Sequence, residues 1–102
     1  MIHVLATIDV ASGQRDAFLV HFHWLVPQVQ AEEGCLEYGA AIDTPTAIPV
    51  QTPPNADRVM VIEKWSSIAA LEVHLNAPHM AEYRQRVKDI VKSVSLQVLS
   101  PA

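Results

Sequence analysis

The sequence predicts an α+β domain with the element order β-α-β-β-α-β around a four-stranded antiparallel sheet. Three observations predict this class. Apolar and polar residues alternate near both ends of the chain and in its middle, which is the period of a β-strand. Two intervening stretches carry apolar residues at helical spacing. The length of 102 residues suits one domain, so we expect residues 1–102 to form a single domain.

The first strand and the first helix are predicted from a change of period. Alternate residues of 2–10 are apolar and share one face, namely Ile2, Val4, Ala6, Ile8 and Val10. Ser12 and Gly13 should end this strand and cap the helix that follows, over residues 14–31. The apolar stripe of that helix consists of Phe18, Phe22, Leu25, Val26 and Val29. Pro27 lies within the helix, where it cannot donate a hydrogen bond and should bend the axis.

A second and a third strand are predicted on either side of a proline-rich segment. Gly34 suits the left-handed end of the first helix, and the second strand follows over residues 35–43. One face of this strand carries Leu36, Tyr38, Ala40 and Ile42. The prolines of residues 44–57 exclude a regular helix or a central strand, and a loop of this length is usually functional or an interface arm. The third strand is predicted over residues 58–65, with Val59, Val61, Glu63 and Trp65 on one face.

The rest of the chain predicts a helical region in two segments and a closing strand. Ser66 or Ser67 can cap a short helix that carries Ile68, Leu71 and Leu75. Pro78 fits the first turn of a second segment, which presents Met80, Tyr83, Val87 and Ile90 or Val91. In the last strand Val94, Leu96 and Val98 alternate with Ser93, Ser95 and Gln97. The resulting order is the split-βαβ, ferredoxin-like arrangement.

The composition predicts that the chain associates with itself. Apolar residues make up 50% and charged residues 18%, and the mean hydropathy is +0.17. Soluble domains usually carry about 25% charged residues, and a small domain is mostly surface. We therefore expect a homodimer, with higher assembly left open. In a ferredoxin-like fold both helices cover one sheet face, so the interface should lie on the other face, near Leu5 and Thr7, with residues 44–57 as a second candidate.

Several classes of function are excluded by composition and motif. The longest uncharged stretch, residues 17–31, contains Pro27 and is too short to span a membrane. A net charge of −4 without a basic cluster argues against nucleic-acid binding. Cys35 is the single cysteine, and no secretory signal is present, so the protein is expected in the reducing cytoplasm. Dinucleotide, P-loop, zinc-finger and zinc-protease motifs are missing, and we expect no cofactor.

A small group of residues between positions 63 and 83 can carry chemistry. Glu63 and Trp65 lie side by side on a strand, His74 lies on the next helix, and His79 and Tyr83 share one helical face. Together they offer a base, an aromatic wall and a phenolic hydrogen bond in one region. The structural alternative is that Trp65 is a core anchor, that Tyr83 packs with its hydroxyl satisfied, and that Glu63 pairs with a lysine or arginine.

The histidines do not predict a metal site. His21 and His23 are two residues apart on a helix and point in different directions. His74 and His79 lie on either side of Pro78, and no cysteine or aspartate completes a ligand set, so no protein-bound metal is expected. Cys35 is predicted to be a small core residue.

Two segments resemble the antibiotic biosynthesis monooxygenase family, most closely its bacterial quinol monooxygenase branch. They are EEGCLEY at residues 32–38, and EKW at residues 63–65 followed by LEVHLNAPHM at residues 71–80. The resemblance covers nearly the whole chain. It implies a dimeric α+β barrel of two ferredoxin-like subunits, and oxygenation of a quinol or polycyclic phenol by O₂ without flavin, haem or metal. Such a site needs a base, a dry apolar pocket and donors for the developing oxyanion.

The resemblance also implies roles for individual residues. His74 or His79 would be the base, and Tyr83 would hydrogen-bond a substrate oxygen. Trp65 would form the pocket wall. Beyond the resemblance, we also expect Glu63, Phe22 and Met80 to bind substrate. The haem-degrading branch has an asparagine on its first strand and a histidine on its last helix; this chain carries Thr7 near the first position and Tyr83 or Arg84 near the second, which argues against haem degradation.

A second class of function is a non-enzymatic dimeric α+β barrel that binds a small aromatic ligand. An apolar cavity between helices and sheet that joins His74 or His79 with Trp65 and Tyr83 would favour the enzyme. A filled core at that place would favour the binding module.

Overall fold

The computed structural model describes residues 1–102 and contains four strands and three helices. In chain order they are β1 (Ile2–Val10), α1 (Arg15–Gln30), β2 (Cys35–Ala41), β3 (Arg58–Trp65), α2 (Ile68–Leu75), α3 (Pro78–Val87) and β4 (Val91–Leu99). The strands form one antiparallel sheet in the order β2-β3-β1-β4. The predicted ferredoxin-like order is confirmed, with the second helical region divided at Pro78 as expected.

The helices cover one face of the sheet. The alternation of apolar residues in β1 correctly predicts which of its side chains lie on this covered face. Ile2, Val4, Ala6, Ile8 and Val10 are all buried, whereas the residues between them are half-buried on the other face. Val59, Val61, Glu63 and Trp65 of β3 are buried on the same side. From α1, the four side chains Phe18, Phe22, Leu25 and Val29 pack onto this face. The core therefore lies between the helices and strands β1 and β3.

The start of α1 differs from the prediction. Gln14, not Ser12 or Gly13, occupies the N-cap position, and it makes no capping hydrogen bond through its side chain. Gly13 has φ of +75°, and its N–H donates to Asp57 Oδ1 at 3.0 Å. The turn before α1 is therefore fixed by a contact across the fold that local sequence does not reveal. Pro27 lies inside α1 as predicted.

Strand β2 ends earlier than predicted and contains a bulge. Its pairing with β3 shifts between Cys35 and Glu37, so Leu36 turns outward and is 54% exposed. The prediction that Leu36 shares the buried face of Tyr38 is therefore wrong. One extra residue in a strand changes which side chains point to each face of the sheet. Tyr38 itself is buried.

The helical caps in the second half follow the predicted chemistry. Ser67 is the N-cap of α2, and its Oγ accepts from the Ala70 N–H at 3.1 Å. Pro78 stands in the first turn of α3, where its missing N–H costs nothing. Leu71 and His74 of α2 are buried, as are Met80, Tyr83 and Val87 of α3. The break between α2 and α3 brings two histidines together, as described below.

Strand β4 lies at the other edge of the sheet and is poorly covered. Val94, Leu96 and Val98 pair with Ile8, Ala6 and Val4, so they share the helix side of the sheet. They nevertheless remain 57%, 46% and 49% exposed. The helices end over the neighbouring strands and leave this row of apolar side chains bare.

The proline-rich segment is irregular, as predicted. Asn55 N–H donates to Asp43 Oδ2 at 2.7 Å, which ties the two ends of the segment together. Ile48 and Val50 near its tip are exposed. None of the helices is long and apolar enough to cross a membrane.

Candidate functional site

Two histidines share one carboxylate oxygen at the junction of α1, α2 and α3. Oε2 of Glu32 lies 2.8 Å from Nδ1 of His74 and 2.8 Å from Nε2 of His79. Glu32 stands just beyond α1, in a turn held by its own N–H, which donates to the Val29 carbonyl at 2.9 Å. His74 belongs to the last turn of α2 and His79 to the first turn of α3, so the tight turn at Pro78 places both beside the end of α1.

His74 is the innermost member of this group. Only 1% of it is exposed, its ring centroid is 4.6 Å from that of Trp65, and its edge meets Tyr38 at 5.5 Å. Burial lowers the pKa of His74, and the hydrogen bond to Glu32 opposes that effect. A carboxylate only accepts, so the neutral imidazole donates through Nδ1–H and keeps the lone pair of Nε2.

Nε2 of His74 has no hydrogen-bond partner in the protein. No fully buried side-chain nitrogen or oxygen lacks a partner, so Nε2 retains a narrow contact with solvent. The same reasoning applies to the hydroxyls of Tyr38 and Tyr83 and to Oε2 of Glu63, none of which bonds within the protein. Four polar atoms on buried side chains are thus free to meet a ligand or water.

Glu63 and Trp65 are joined by a hydrogen bond. The indole Nε1–H of Trp65 donates to Oε1 of Glu63 at 2.9 Å, and both side chains are buried. Burial raises the pKa of Glu63 to about 7, against the lowering effect of the indole bond. The alternative that Glu63 pairs with a cation is wrong, because Lys64 points to the other face and bonds Glu37. Trp65 is completely buried, which bears out its interpretation as a core anchor.

An aromatic cluster fills the space between these polar groups and α1. Phe22 stacks on Tyr38 with ring centroids 5.4 Å apart and meets the edge of Tyr83 at 6.3 Å. Phe18 lies 6.1 Å from Tyr83. Burial raises the pKa of both tyrosines above the ordinary value, so each phenol stays protonated and can donate.

The predicted cavity is not preformed at this place. The surface cavities of 250 to 710 Å³ each reach at most one member of this group, and none of them joins His74, Trp65 and Tyr83. The largest of them reaches Glu32, and a smaller one reaches His79. Phe22 and Met80, predicted to bind substrate, are buried among core side chains. By the criterion set out from the sequence, this filled core favours a binding module.

The structure unites most of the predicted site and adds two residues. His74, Trp65, Glu63 and Tyr83 surround one aromatic centre, whereas His79 lies at its outer rim. Glu32 and Tyr38 lie within the segment EEGCLEY but were assigned no role from the sequence. No cysteine or aspartate joins His74 and His79; a glutamate, Glu32, brings a carboxylate to them instead, and the ligand atoms of the three residues lie within 4.8 Å of one another. The sequence does not reveal the contacts of Glu32, because His74 and His79 lie more than 40 residues further along the chain.

Fold and site together define a ferredoxin-like α+β domain with a carboxylate-bridged histidine pair beside buried aromatic rings. The family model described as antibiotic biosynthesis monooxygenase matches residues 1–86, and the chain belongs to that family. A curated relative, named "Probable quinol monooxygenase YgiN" from Escherichia coli (strain K12), is 39% identical over 103 residues, which cover 99% of this chain and 98% of the relative.

Solved structures agree on the fold. PA3566 from Pseudomonas aeruginosa superposes with a TM-score of 0.82 at 27% identity, over 99% of this chain and 93% of that one. Rv0793 from Mycobacterium tuberculosis gives a TM-score of 0.81 at 22% identity, over 99% and 94% of the two chains, and this likeness concerns the fold alone.

Proposed function

We propose that this chain is a cofactor-independent monooxygenase that oxidises a quinol or polycyclic phenol with O₂, and that His74 is its base. One observation carries the proposal: Glu32 holds Nδ1 of His74 at 2.8 Å while the imidazole lies against Trp65. A carboxylate that orients a buried imidazole fixes the tautomer whose Nε2 accepts a proton. Membership of the monooxygenase family and similarity to the Escherichia coli relative support the reaction class.

His74 suits the role of base better than His79. His79 is partly exposed and lines a surface cavity with Gln28, Pro78 and Glu82, where water would screen a developing anion. His74 is 1% exposed and packs against the rings of Tyr38 and Trp65, so far less water reaches it. In this proposal His79 is a positioning residue that acts through Glu32.

The proposed chemistry balances without an added redox group. Nε2 of His74 takes a phenolic proton, and the resulting anion gives one electron to O₂. The substrate radical and superoxide combine at a ring carbon, and the imidazolium returns its proton to the peroxide. Loss of water, with the hydrogen of that ring carbon, leaves a new carbonyl, so one oxygen atom enters the product and the other leaves as water. Tyr83 would donate to the substrate oxygen as charge develops there.

The aromatic cluster has to open for a substrate to enter. Tyr38 lies beside His74 and stacks on Phe22, so binding of a bicyclic ring against His74 requires rings of this cluster to move apart. The hydroxyls of Tyr38 and Tyr83 make no hydrogen bond within the protein, so they can bond a ligand that enters between the rings.

The filled centre supports a second candidate, a dimeric module that binds a small aromatic ligand without turnover. The test mixes the protein anaerobically with a reduced naphthoquinol or a naphthol, admits ¹⁸O₂ and analyses the product by mass. The enzyme proposal expects one labelled atom per product at a rate above autoxidation. It also expects a loss of about 10²–10⁴-fold in His74→Ala, and full activity in His23→Ala, which alters an exposed histidine.

The two candidates predict different results. Turnover equal to autoxidation, together with ligand-dependent quenching of Trp65 fluorescence, would overturn the enzyme in favour of the module. Turnover that His74→Ala leaves unchanged would overturn the assignment of the base.

We also propose that the chain works as a homodimer in the cytoplasm. The row Val94, Leu96 and Val98 supports association, since about half of each side chain is exposed on the helix side of β4. Leu5, Met60 and Ile62 form a second, separate apolar patch on the opposite face of the sheet, where the sequence predicts the interface.

A further inference from the structure

The group that bridges the two histidines is also a set of metal ligands. We infer that Glu32, His74 and His79 bind one divalent first-row transition cation of the Zn²⁺ and Co²⁺ class. Their ligand atoms, one carboxylate oxygen and two imidazole nitrogens, all lie within 4.8 Å of one another. Because they come from the ends of three helices, the fold and not a local motif assembles them.

The donor set selects the class of cation. Two imidazole nitrogens favour zinc, cobalt and similar ions over magnesium or calcium, which prefer oxygen ligands. Metal–ligand bonds of about 2.0–2.1 Å put neighbouring ligand atoms about 2.9 Å apart in octahedral geometry and about 3.3 Å apart in tetrahedral geometry. The two contacts of 2.8 Å to Glu32 are already close to this spacing. Only the gap between the two nitrogens has to adjust, and His79, the more exposed ring, can supply that movement.

The surroundings provide a path and an attractive potential for a cation. A cavity of 710 Å³ reaches Glu32 and is also lined by Glu33 and Glu72. A second cavity of 310 Å³ reaches His79 and is lined by Glu82. No lysine or arginine lines either cavity. Water from these cavities can complete the coordination, since three protein ligands leave positions open.

The nearest arginines are occupied by other contacts. Arg84 donates to the Leu75 carbonyl at 2.7 Å. Arg86 contacts Glu82 at 3.4 Å and lies over the ring of Trp24. Neither side chain makes a hydrogen bond to the shared carboxylate of Glu32. The cluster is thus open to a cation on its acidic side.

Metal binding has a defined consequence for the proposed reaction, and this part of the inference rests on that proposal. A cation on Nδ1 of His74 takes the place of the proton shared with Glu32, so the proton moves to Nε2. Nε2–H no longer accepts a phenolic proton. The bound cation therefore acts as an inhibitor that withdraws the base.

Cobalt titration of the purified protein tests the site independently of activity. Chelator-treated protein is titrated with Co²⁺, and the visible absorption bands of the ion and the heat of binding are recorded. We expect one Co²⁺ per chain, displaced by Zn²⁺. Glu32→Gln keeps the shape and acceptor oxygen of the side chain but removes the charge, and His79→Gln removes one nitrogen ligand; each should weaken binding by more than about 10-fold. His23→Gln, at an exposed position of α1, should bind as the wild type does.

The outcomes separate this inference from the proposed function. No saturable Co²⁺ signal, or a signal that Glu32→Gln and His79→Gln retain in full, would overturn the metal site. Binding that His23→Gln abolishes would place the ion on the surface of α1 and would also overturn it. Specific binding in a protein without oxygenase turnover would uphold the site and refute only the inhibitory role, whereas zinc inhibition of the wild type over the same concentration range in which zinc displaces Co²⁺ would support both.

Discussion

The two edges of the sheet differ sharply although their sequences look alike. β2 and β4 are both edge strands with alternating apolar residues that face the helices. Tyr38 of β2 is only 6% exposed because α1 packs over it, whereas Leu96 of β4 is 46% exposed. The covered edge holds the polar and aromatic site, and the bare edge holds a surface that suits a partner. Helix placement, not the strand pattern, decides which edge carries chemistry.

This contrast has an energetic side. Burial of apolar area contributes about 25 cal/mol per Å², so side chains at the covered edge already stabilise the isolated chain. The side chains of β4 contribute in full only when a second surface covers them. Substitutions at the two edges should therefore affect different quantities, namely stability at β2 and β3 and association at β4.

The largest expected change in stability follows from removal of the Trp65 indole, which lies beneath the site. Trp65→Ala removes a completely buried side chain that also supports His74, and it should lower the free energy of unfolding by about 3–5 kcal/mol. Leu96→Ala on β4 should cost less than about 1 kcal/mol at protein concentrations too low for self-association, because Leu96 is already 46% exposed. Urea unfolding followed by circular dichroism measures both values. Equal losses would mean that β4 is as well covered as β3.

The second effect is a pH dependence set by Glu63. Its pKa is about 7 in the folded protein and 4.5 ordinarily, so the folded state binds the proton more tightly than the unfolded state does. The contribution of Glu63 to the free energy of unfolding is therefore largest below pH 4.5. It falls as the pH rises from 4.5 towards 7 and changes no further above pH 7. Glu63→Gln keeps the acceptor for Trp65 and should stabilise the protein at pH 8 relative to the wild type, by on the order of 3 kcal/mol.

Glu37→Gln is the control for Glu63→Gln, because Glu37 is an exposed glutamate on the neighbouring strand β2. The relevant measurement is the midpoint of urea unfolding at pH 5 and at pH 8. A wild-type stability that does not fall between these values, with Glu63→Gln parallel to it, would show that Glu63 titrates normally.

The third effect concerns the turn that holds Glu32 in place. Gly34 has φ of +83°, and an added Cβ would lie 2.6 Å from Ser66 Oγ and 2.7 Å from the Cβ of Ala70. Gly34→Ala combines backbone strain with this overlap and should destabilise by about 2–3 kcal/mol. Gly13 has φ of +75° with open space around it, so Gly13→Ala should cost only about 1–2 kcal/mol. Thermal unfolding of the two variants compares them, and a larger loss at Gly13 would contradict the close approach at Gly34.

The smallest expected change in stability accompanies a change in association. Leu96→Glu places a charge on the bare edge and should convert the proposed dimer to a monomer, while the free energy of unfolding of the dilute chain changes by less than about 0.5 kcal/mol. Leu36→Glu is the control at the other edge, where Leu36 is 54% exposed on the bulge. Light scattering at micromolar concentration reports the mass. A wild-type monomer, or a dimer that Leu96→Glu leaves intact, would refute the β4 interface.

Much of the fold could be predicted from local pattern. The limits of β3, the burial of alternate residues of β1 and the break at Pro78 all follow from period and proline chemistry. The outward turn of Leu36 could not be predicted, because a bulge inserts one residue without a local signal. Likewise, the turn before α1 depends on Asp57, a residue distant in sequence.

The candidate site divides in the same way. Spacing along a strand predicts that Glu63 lies beside Trp65. The resemblance of the sequence motifs to the family identifies His74, His79 and Tyr83 as candidate site residues. What the sequence by itself determined is the set of elements, their faces and the residue types that can carry chemistry, because these depend on backbone period. Only the tertiary structure decided that Glu32 bridges the two histidines, that aromatic rings fill the centre and that β4 stays bare. These features depend on where the helices end in space. Hydrogen bonds between residues more than 40 positions apart cannot be predicted from local sequence.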